Sequence, residues 1–360
     1  MIPLHDHIVS LYQRFAGTSK FSKKETQLLR ADEAIALTEA ALCDSMVISA
    51  TGKLQQDRFW AQLANSTTPS SPRILETESA RSSLAALSGL TLAGHRSAIF
   101  LTGQELATAS DLLLDLSQRH LPCVIQLASG GMNPLTPEGQ EAYHLASASG
   151  CFMLFASNLQ EAVDYTVISH MLAEKVLMPG IVAVDTHATW LSRQEVKLIA
   201  PDQMIQLVGH PQDQIHVANT AQRLLFGRER RRVPRWFDPD RPVLLGAHQS
   251  NHTAQLNSAG QFIFFSDELR TAMLETLEEF SLVTGRQLSL IKSTADSPCE
   301  MLFVTQGSSY DIAAAAIPLL KQQGHSIGVV GIQSLRPFPA DNFLNAISGS
   351  KHLVVLERST

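Results

Sequence analysis

The sequence predicts an α/β protein: a doubly wound, mostly parallel sheet, followed by a second, smaller α/β unit. Three observations carry this. Short β-rich runs alternate with longer amphipathic ones along most of the chain, and strand–helix–strand alternation makes right-handed crossovers between parallel strands. The strand candidates are near-continuous apolar runs that do not alternate, which is the pattern of strands covered by helices on both faces. Charged residues make up only 17% of 360 residues, against ~25% in an average soluble domain. Much surface must therefore be buried, within the chain or against other chains.

The first pair of elements is a helix at Ala31–Cys43 and a strand at Ser45–Thr51. The polar tract Asn65–Pro72 reads as a loop. A small-residue helix at Thr77–Leu92 follows, carrying Ala80, Ser82, Ser83, Ala85, Ala86, Ser88 and Gly89. So few bulky side chains allow close approach to a sheet or another subunit. Strand Ser97–Gly103, helix Gln104–His120 and strand Cys123–Ser129 lead into a Gly/Pro-rich loop at Gly130–Gly139. Strand Cys151–Ser157, helix Leu159–Val176 and strand Gly180–Thr186 complete the first unit. Residues 191–240 read as an irregular, basic, Pro-containing linker. The second unit has helix Asp267–Thr284, strand Glu300–Gly307, helix Asp311–Gln323, strand Ser326–Gln333, the turn Arg336–Pro339 and strand His352–Arg358.

Composition excludes several classes. Disorder needs low hydrophobicity and high charge, and here 44% of residues are apolar with a net charge of −6. No apolar run reaches the ~18 residues of a membrane helix, and the N-terminus has no apolar signal core. The expectation is a soluble cytoplasmic protein without membrane or nucleic-acid partners. The basic cluster Arg228, Arg230, Arg231, Arg232 and Arg235 reads as a solvated linker or a subunit contact, since it flanks Pro234 between periodic regions. Cys43, Cys123, Cys151 and Cys299 form no C-x-x-C pair, so cluster and zinc-ribbon ligand sets are absent, and no metal site is expected. No phosphate-binding glycine motif or hydrolase elbow is present either.

The remaining candidates are loops after strands, where α/β proteins bind ligands. Thr51, Thr102, Gln104 and Asn158 would line one edge of the first sheet with hydrogen-bonding side chains suited to a heterocycle or small acid. The bland alternative is that Thr, Gly and Asn are the residues turns prefer.

Four stretches in order add a resemblance. ADEAIALTEAALCDSMVISATG (Ala31–Gly52), ETESARSSLAALSGLTLAGHRSAIFLTGQEL (Glu76–Leu106), ASNLQEAVDYTVISHMLAEKVLMPGIVAVD (Ala156–Asp185) and the run from Gly285 through R-P-F-P at Arg336–Pro339 to HLVVLER resemble the N-terminal part of pyruvate:ferredoxin/flavodoxin oxidoreductases. The resemblance implies a thiamine-diphosphate-binding fold (its pyrimidine module) at 26–190. It implies a transketolase C-terminal-like domain at 241–360, with 1–25 as an N-terminal extension and 191–240 as the basic linker. It also implies oxidative decarboxylation of a 2-oxo acid to an acyl-CoA. Thiamine diphosphate would be shared with a partner chain, with Mg²⁺ and Fe–S clusters only on partner chains and ferredoxin or flavodoxin as indirect partner. A homo-oligomer or separate cofactor-carrying subunits would complete the assembly. A non-catalytic or split-gene relative acting as a protein-binding subunit is the alternative.

Residue by residue the carry-over is uneven. Thr51 matches the family's substrate-contacting threonine, with Gly52 where the family has proline. The family's aminopyrimidine-binding glutamate aligns with Ala80, and Glu78, two residues earlier, is the substitute catalytic candidate if the helix starts later or a bulge resets the register. The substrate-binding arginine aligns with Gly130, and no arginine lies between Leu121 and Trp190. Glu105 stands where the family has glycine. Without those groups, and without a diphosphate motif or cluster cysteines, the chain alone is not expected to complete the reaction.

Overall fold

The computed structural model describes residues 26–49, 72–131, 139–236, 255, 267–295 and 299–358. Its first unit begins with β1 (Gln27–Arg30), α1 (Ala31–Leu42), β2 (Ser45–Ser49), β3 (Arg73–Thr77) and α2 (Ala80–Leu92). It continues through β4 (Ser97–Thr102), α3 (Gly103–Thr108), α4 (Ser110–Gln118), β5 (Val124–Ser129), α5 (Glu141–Ala146), β6 (Phe152–Phe155), α6 (Leu159–Val176) and β7 (Gly180–Asp185). β8 (Arg193–Val196), α7 (Pro201–Val208), β9 (Gln214–His216), α8 (Thr220–Phe226), β10 (Glu229–Arg231) and α9 (Asp267–Thr284) follow. The last group is β11 (Ile291–Ser293), β12 (Met301–Gln306), α10 (Ser308–Gln322), β13 (Ile327–Ile332), β14 (Ser334–Arg336), α11 (Ala340–Ile347) and β15 (His352–Val355).

The main sheet has the order β3-β2-β4-β5-β7-β6-β14. Every pairing is parallel except β14 with β6. Strands β2, β5, β6 and β7 are buried at every residue, as their unbroken apolar runs require. Successive side chains serve opposite faces. Phe100 joins the core formed with α1 and α6, whereas Ile99 and Leu101 join the core formed with α2 and α4. The doubly wound expectation therefore holds in detail.

Helix α6 explains why its face pattern is blurred in the sequence. It packs against the sheet, α1, α7 and α9, and nearly all of its residues are buried. Its polar residues must then find partners inside. Glu174 pairs with Arg96 at 2.5 Å, both about 1% exposed. Arg96 also donates to the carbonyls of Leu42, Val208 and Gly209. Asp164 pairs with Arg286, and burial still pushes the Asp164 carboxyl up to about 7, against the downward pull of Arg286 and Gln160.

Three expectations change. The described part of the stretch 191–240, read as irregular, carries β8 paired with β1, helices α7 and α8, and the antiparallel pair β9 and β10 on either side of α8. Arg230, read as a solvated or subunit-contacting residue, is 3% exposed. It donates to the carbonyls of Glu174 and Lys175 at the C-terminal end of α6, where a cation meets the negative end of the helix dipole. Helix α9, assigned to the second unit by a boundary at 241, supplies Leu269, Met273, Leu277 and Phe280 to the first core. Strand β3 was hidden because its Arg73, Leu75 and Glu76 are exposed at the sheet edge and make no apolar run.

The second unit is a four-stranded sheet, β11-β13-β12-β15, in which β12 runs parallel to β13 and β15. Tyr310 and Ile317 of α10 pack on Val329, and Phe343 and Ile347 of α11 pack near Leu302 and Val330 on the other face. After β13 the chain crosses over, and β14 adds to the first sheet beside β6.

Candidate functional site

The candidate edge lies at the C-terminal ends of the parallel strands. Thr51 falls outside the described residues. Of the other four candidates, Thr102 and Asn158 cap helices and Glu78 and Gln104 are exposed. Ser79 caps α2 by accepting from Ser82 N–H, so the helix starts at Ala80. Ala80 is buried in the first turn, and Glu78 is exposed in the bend before the cap. A later start therefore leaves Glu78 outside the helix rather than resetting its register.

Thr102 ends β4 and caps α3. Its hydroxyl accepts from Glu105 N–H at 3.2 Å while the Glu105 carboxylate accepts from Thr102 N–H at 2.9 Å, the reciprocal pair of a capping box. Both side chains are thereby committed to the turn. Gln104 is exposed. Between them Gly103 approaches the next loop so closely that a Cβ there would stand 2.3 Å from the Gly130 carbonyl oxygen. Gly130, where the resemblance puts the arginine, contributes its backbone carbonyl to this close approach.

Asn158 has a different job. Its Oδ1 accepts from Glu161 N–H at 3.0 Å to cap α6, and its Nδ2 donates to Asp311 of α10 at 2.8 Å. Lys292 bridges the same joint, 2.6 Å from Glu161 and 3.3 Å from Asp311, with its ammonium 4.3 Å from the centre of the Tyr310 ring. Glu161 and Asp311 hold that ammonium above the usual lysine range against the opposing effect of burial. Asp185, at the end of β7, accepts from Ser308 N–H at 2.6 Å and from Gln140 Nε2 at 3.0 Å. Its carboxylate thus sits on the N-terminus of α10, where negative charge is favoured. Gly307 turns there at φ +58°, and a Cβ would meet Asp185 Oδ2 at 2.5 Å. Sequence reasoning missed Glu161, Asp185, Lys292 and Asp311. Each pairs across more than a hundred residues of chain, and local spacing carries no signal of that.

One further group is internal. Glu39 and Cys43 lie four apart on α1 and its C-cap, facing His170 of α6. Glu39 Oε2 is 2.7 Å from His170 Nε2 and 3.1 Å from Cys43 Sγ, and Gln126 Nε2 of β5 donates to Glu39 Oε1 at 2.7 Å. Burial and Glu39 both push the Cys43 thiol well up.

Residues 56–279 match the family described as pyruvate flavodoxin/ferredoxin oxidoreductase, thiamine-diphosphate-binding. Residues 299–360 match pyruvate:ferredoxin oxidoreductase core domain II. The chain belongs to this oxidoreductase family. A probable pyruvate-flavodoxin oxidoreductase of Escherichia coli is 25% identical over 292 residues, 80% of this chain and 23% of that protein. The pyruvate synthase subunit PorA of Thermotoga maritima is 23% identical over 291 residues, 79% of this chain and 69% of the subunit. The chain thus spans about a quarter of the first of these relatives and about two thirds of the second. A 2-oxoglutarate:ferredoxin oxidoreductase from Magnetococcus marinus shares the fold, with a TM-score of 0.62 at 17% identity over 94% of this chain and 59% of that one.

The described edge does not fit the pyrimidine end of thiamine diphosphate. Ala80 offers no carboxylate, Glu78 faces solvent and Glu105 is spent on a cap. Gly130 has no guanidinium to pair with a 2-oxo acid.

Proposed function

We infer that the chain is a component of a 2-oxoacid:ferredoxin/flavodoxin oxidoreductase assembly. It supplies the pyrimidine-module scaffold and the adjoining second domain, while Mg²⁺ and Fe–S clusters reside on partner chains and ferredoxin or flavodoxin accepts the electrons. Family membership across both units supports this reading. Within the assembly the described residues favour a scaffold and protein-binding role over an acid–base role. The observation that carries this is the buried Ala80 in the first turn of α2 with Glu78 exposed outside it.

A catalytic role is the second reading, favoured by Glu78 standing two residues from the family position. In it, Glu78 holds the aminopyrimidine once a partner covers the edge, with Thr51, Thr102, Gln104 and Asn158 as the substrate and cofactor contacts. Co-expression with neighbouring reading frames that carry cluster and diphosphate motifs tests both. The complex should co-purify and reduce a dye with a 2-oxo acid. Turnover unchanged in Glu78→Gln supports the scaffold role, and a loss of ~10²-fold or more supports the catalytic one. Failure of every such frame to associate overturns the assembly reading.

A further inference from the structure

We propose that Glu39, Cys43 and His170 form a buried binding site for a zinc-class divalent ion. The three side chains bring one carboxylate oxygen, one sulfur and one imidazole nitrogen within 4.8 Å of one another. All are within the core, at 0%, 5% and 1% exposure. Among the described residues no other such group of metal donors forms. The site is independent of the strand ends: Gln126 lies mid-strand in β5, three residues before its end.

The placement follows from the helices. Residues four apart share one face of a helix, so Glu39 and Cys43 point together at the flank of α6, where His170 meets them. Tetrahedral zinc, with bonds of about 2.0 Å to oxygen and nitrogen and about 2.3 Å to sulfur, sets its ligands roughly 3.3–3.6 Å apart. The Cys43–His170 separation is 3.7 Å, already at that spacing. The 3.1 Å from Glu39 to Cys43 and the 2.7 Å from Glu39 to His170 need to open by about 0.4–0.6 Å, within the freedom of a carboxylate about its last torsion.

Gln126 steadies the carboxylate: its Nε2 donates to Glu39 Oε1 at 2.7 Å and to Thr166 Oγ1 at 3.1 Å, which leaves Glu39 Oε2 turned toward Cys43 and His170. The donor set also selects the ion. Mixed sulfur, nitrogen and carboxylate ligation suits zinc and its neighbours rather than magnesium or calcium, which take oxygen alone. Three protein donors and no exposed face describe an enclosed site, its fourth position left to a buried water, loaded as the chain folds. It would tie α1 to α6 and leave the chemistry at the strand ends untouched.

The test uses the full chain, purified without a histidine tag from zinc-supplemented medium. Inductively coupled plasma mass spectrometry should find about one zinc per chain that survives dialysis against EDTA. Refolding with Co²⁺ alone should give thiolate-to-cobalt charge transfer and tetrahedral d–d bands. Cys43→Ser and His170→Asn, each checked for native circular dichroism, should lower the metal content at least tenfold. If a variant fails to fold, the wild-type zinc and cobalt readings decide alone. Wild type with neither zinc nor a cobalt spectrum overturns the proposal and leaves the trio as a hydrogen-bonded pair beside a thiol. Metal that persists in both folded variants overturns it too.

Discussion

The interior around α6 and the loops at the strand ends have gone different ways. Around α6, Arg96, Asp164, His170 and Glu174 are enclosed, and each of these four pairs with a residue distant in the chain. At the strand ends, the places where the family resemblance puts an acid and an arginine hold Ala80 and Gly130. The hydrogen-bonding groups that remain cap helices or join the two units. Removing a buried partner destabilises the fold itself, whereas an exposed edge group such as Glu78 can change at little cost to stability. The interior therefore retains its polar groups under a constraint that does not protect the edge.

The sharpest way to break the comparison is inside. Arg96→Ala leaves Glu174 buried without its cation and should cost about 3–5 kcal/mol, read as a fall in urea midpoint at constant slope. If the loss is under about 1 kcal/mol, the pair is not what constrains the interior. Gly103→Ala should cost roughly 1–3 kcal/mol by driving the Gly130 loop away; an unchanged midpoint would mean the two loops are not in contact. Asp185→Ala removes the acceptor at the start of α10 and should cost about 1–2 kcal/mol, with faster hydrogen exchange in the first turn of that helix.

Asp164 sharpens the comparison through pH. Its folded carboxyl is raised to about 7, well above the ~3.9 of an unfolded aspartate. The native state therefore holds this proton more tightly. The contribution is fully present below about pH 4 and is lost as pH rises to about 7. Asp164→Asn should flatten the dependence of the melting temperature over that window in differential scanning calorimetry. The smallest effect belongs to exposed Glu78, whose change to Gln should shift stability by less than about 0.5 kcal/mol.

The sheet was legible because strands covered on both faces must be apolar throughout, as Val124–Ser129 and Gly180–Asp185 are. Strand β3 was not, since an exposed edge strand with Arg73 and Glu76 has no such run. The roles of Thr102 and Asn158 were half legible. Both lie at strand ends as expected, but a capping threonine and a ligand-binding threonine look alike until their acceptors are located. Arg230 read as surface because its partners are backbone carbonyls at a helix end, and no side chain in the sequence announces them.

Strand β14 has a consequence for anyone dividing the protein. It is coded after β13 of the second unit, yet it forms the outermost rung beside β6. A truncation ending before Ser334 would strip that rung and lay bare the β6 backbone, an open ladder edge of the kind that recruits stray strands. The halves should therefore melt together, and a fragment expressed without the tail should aggregate rather than stand as a free domain.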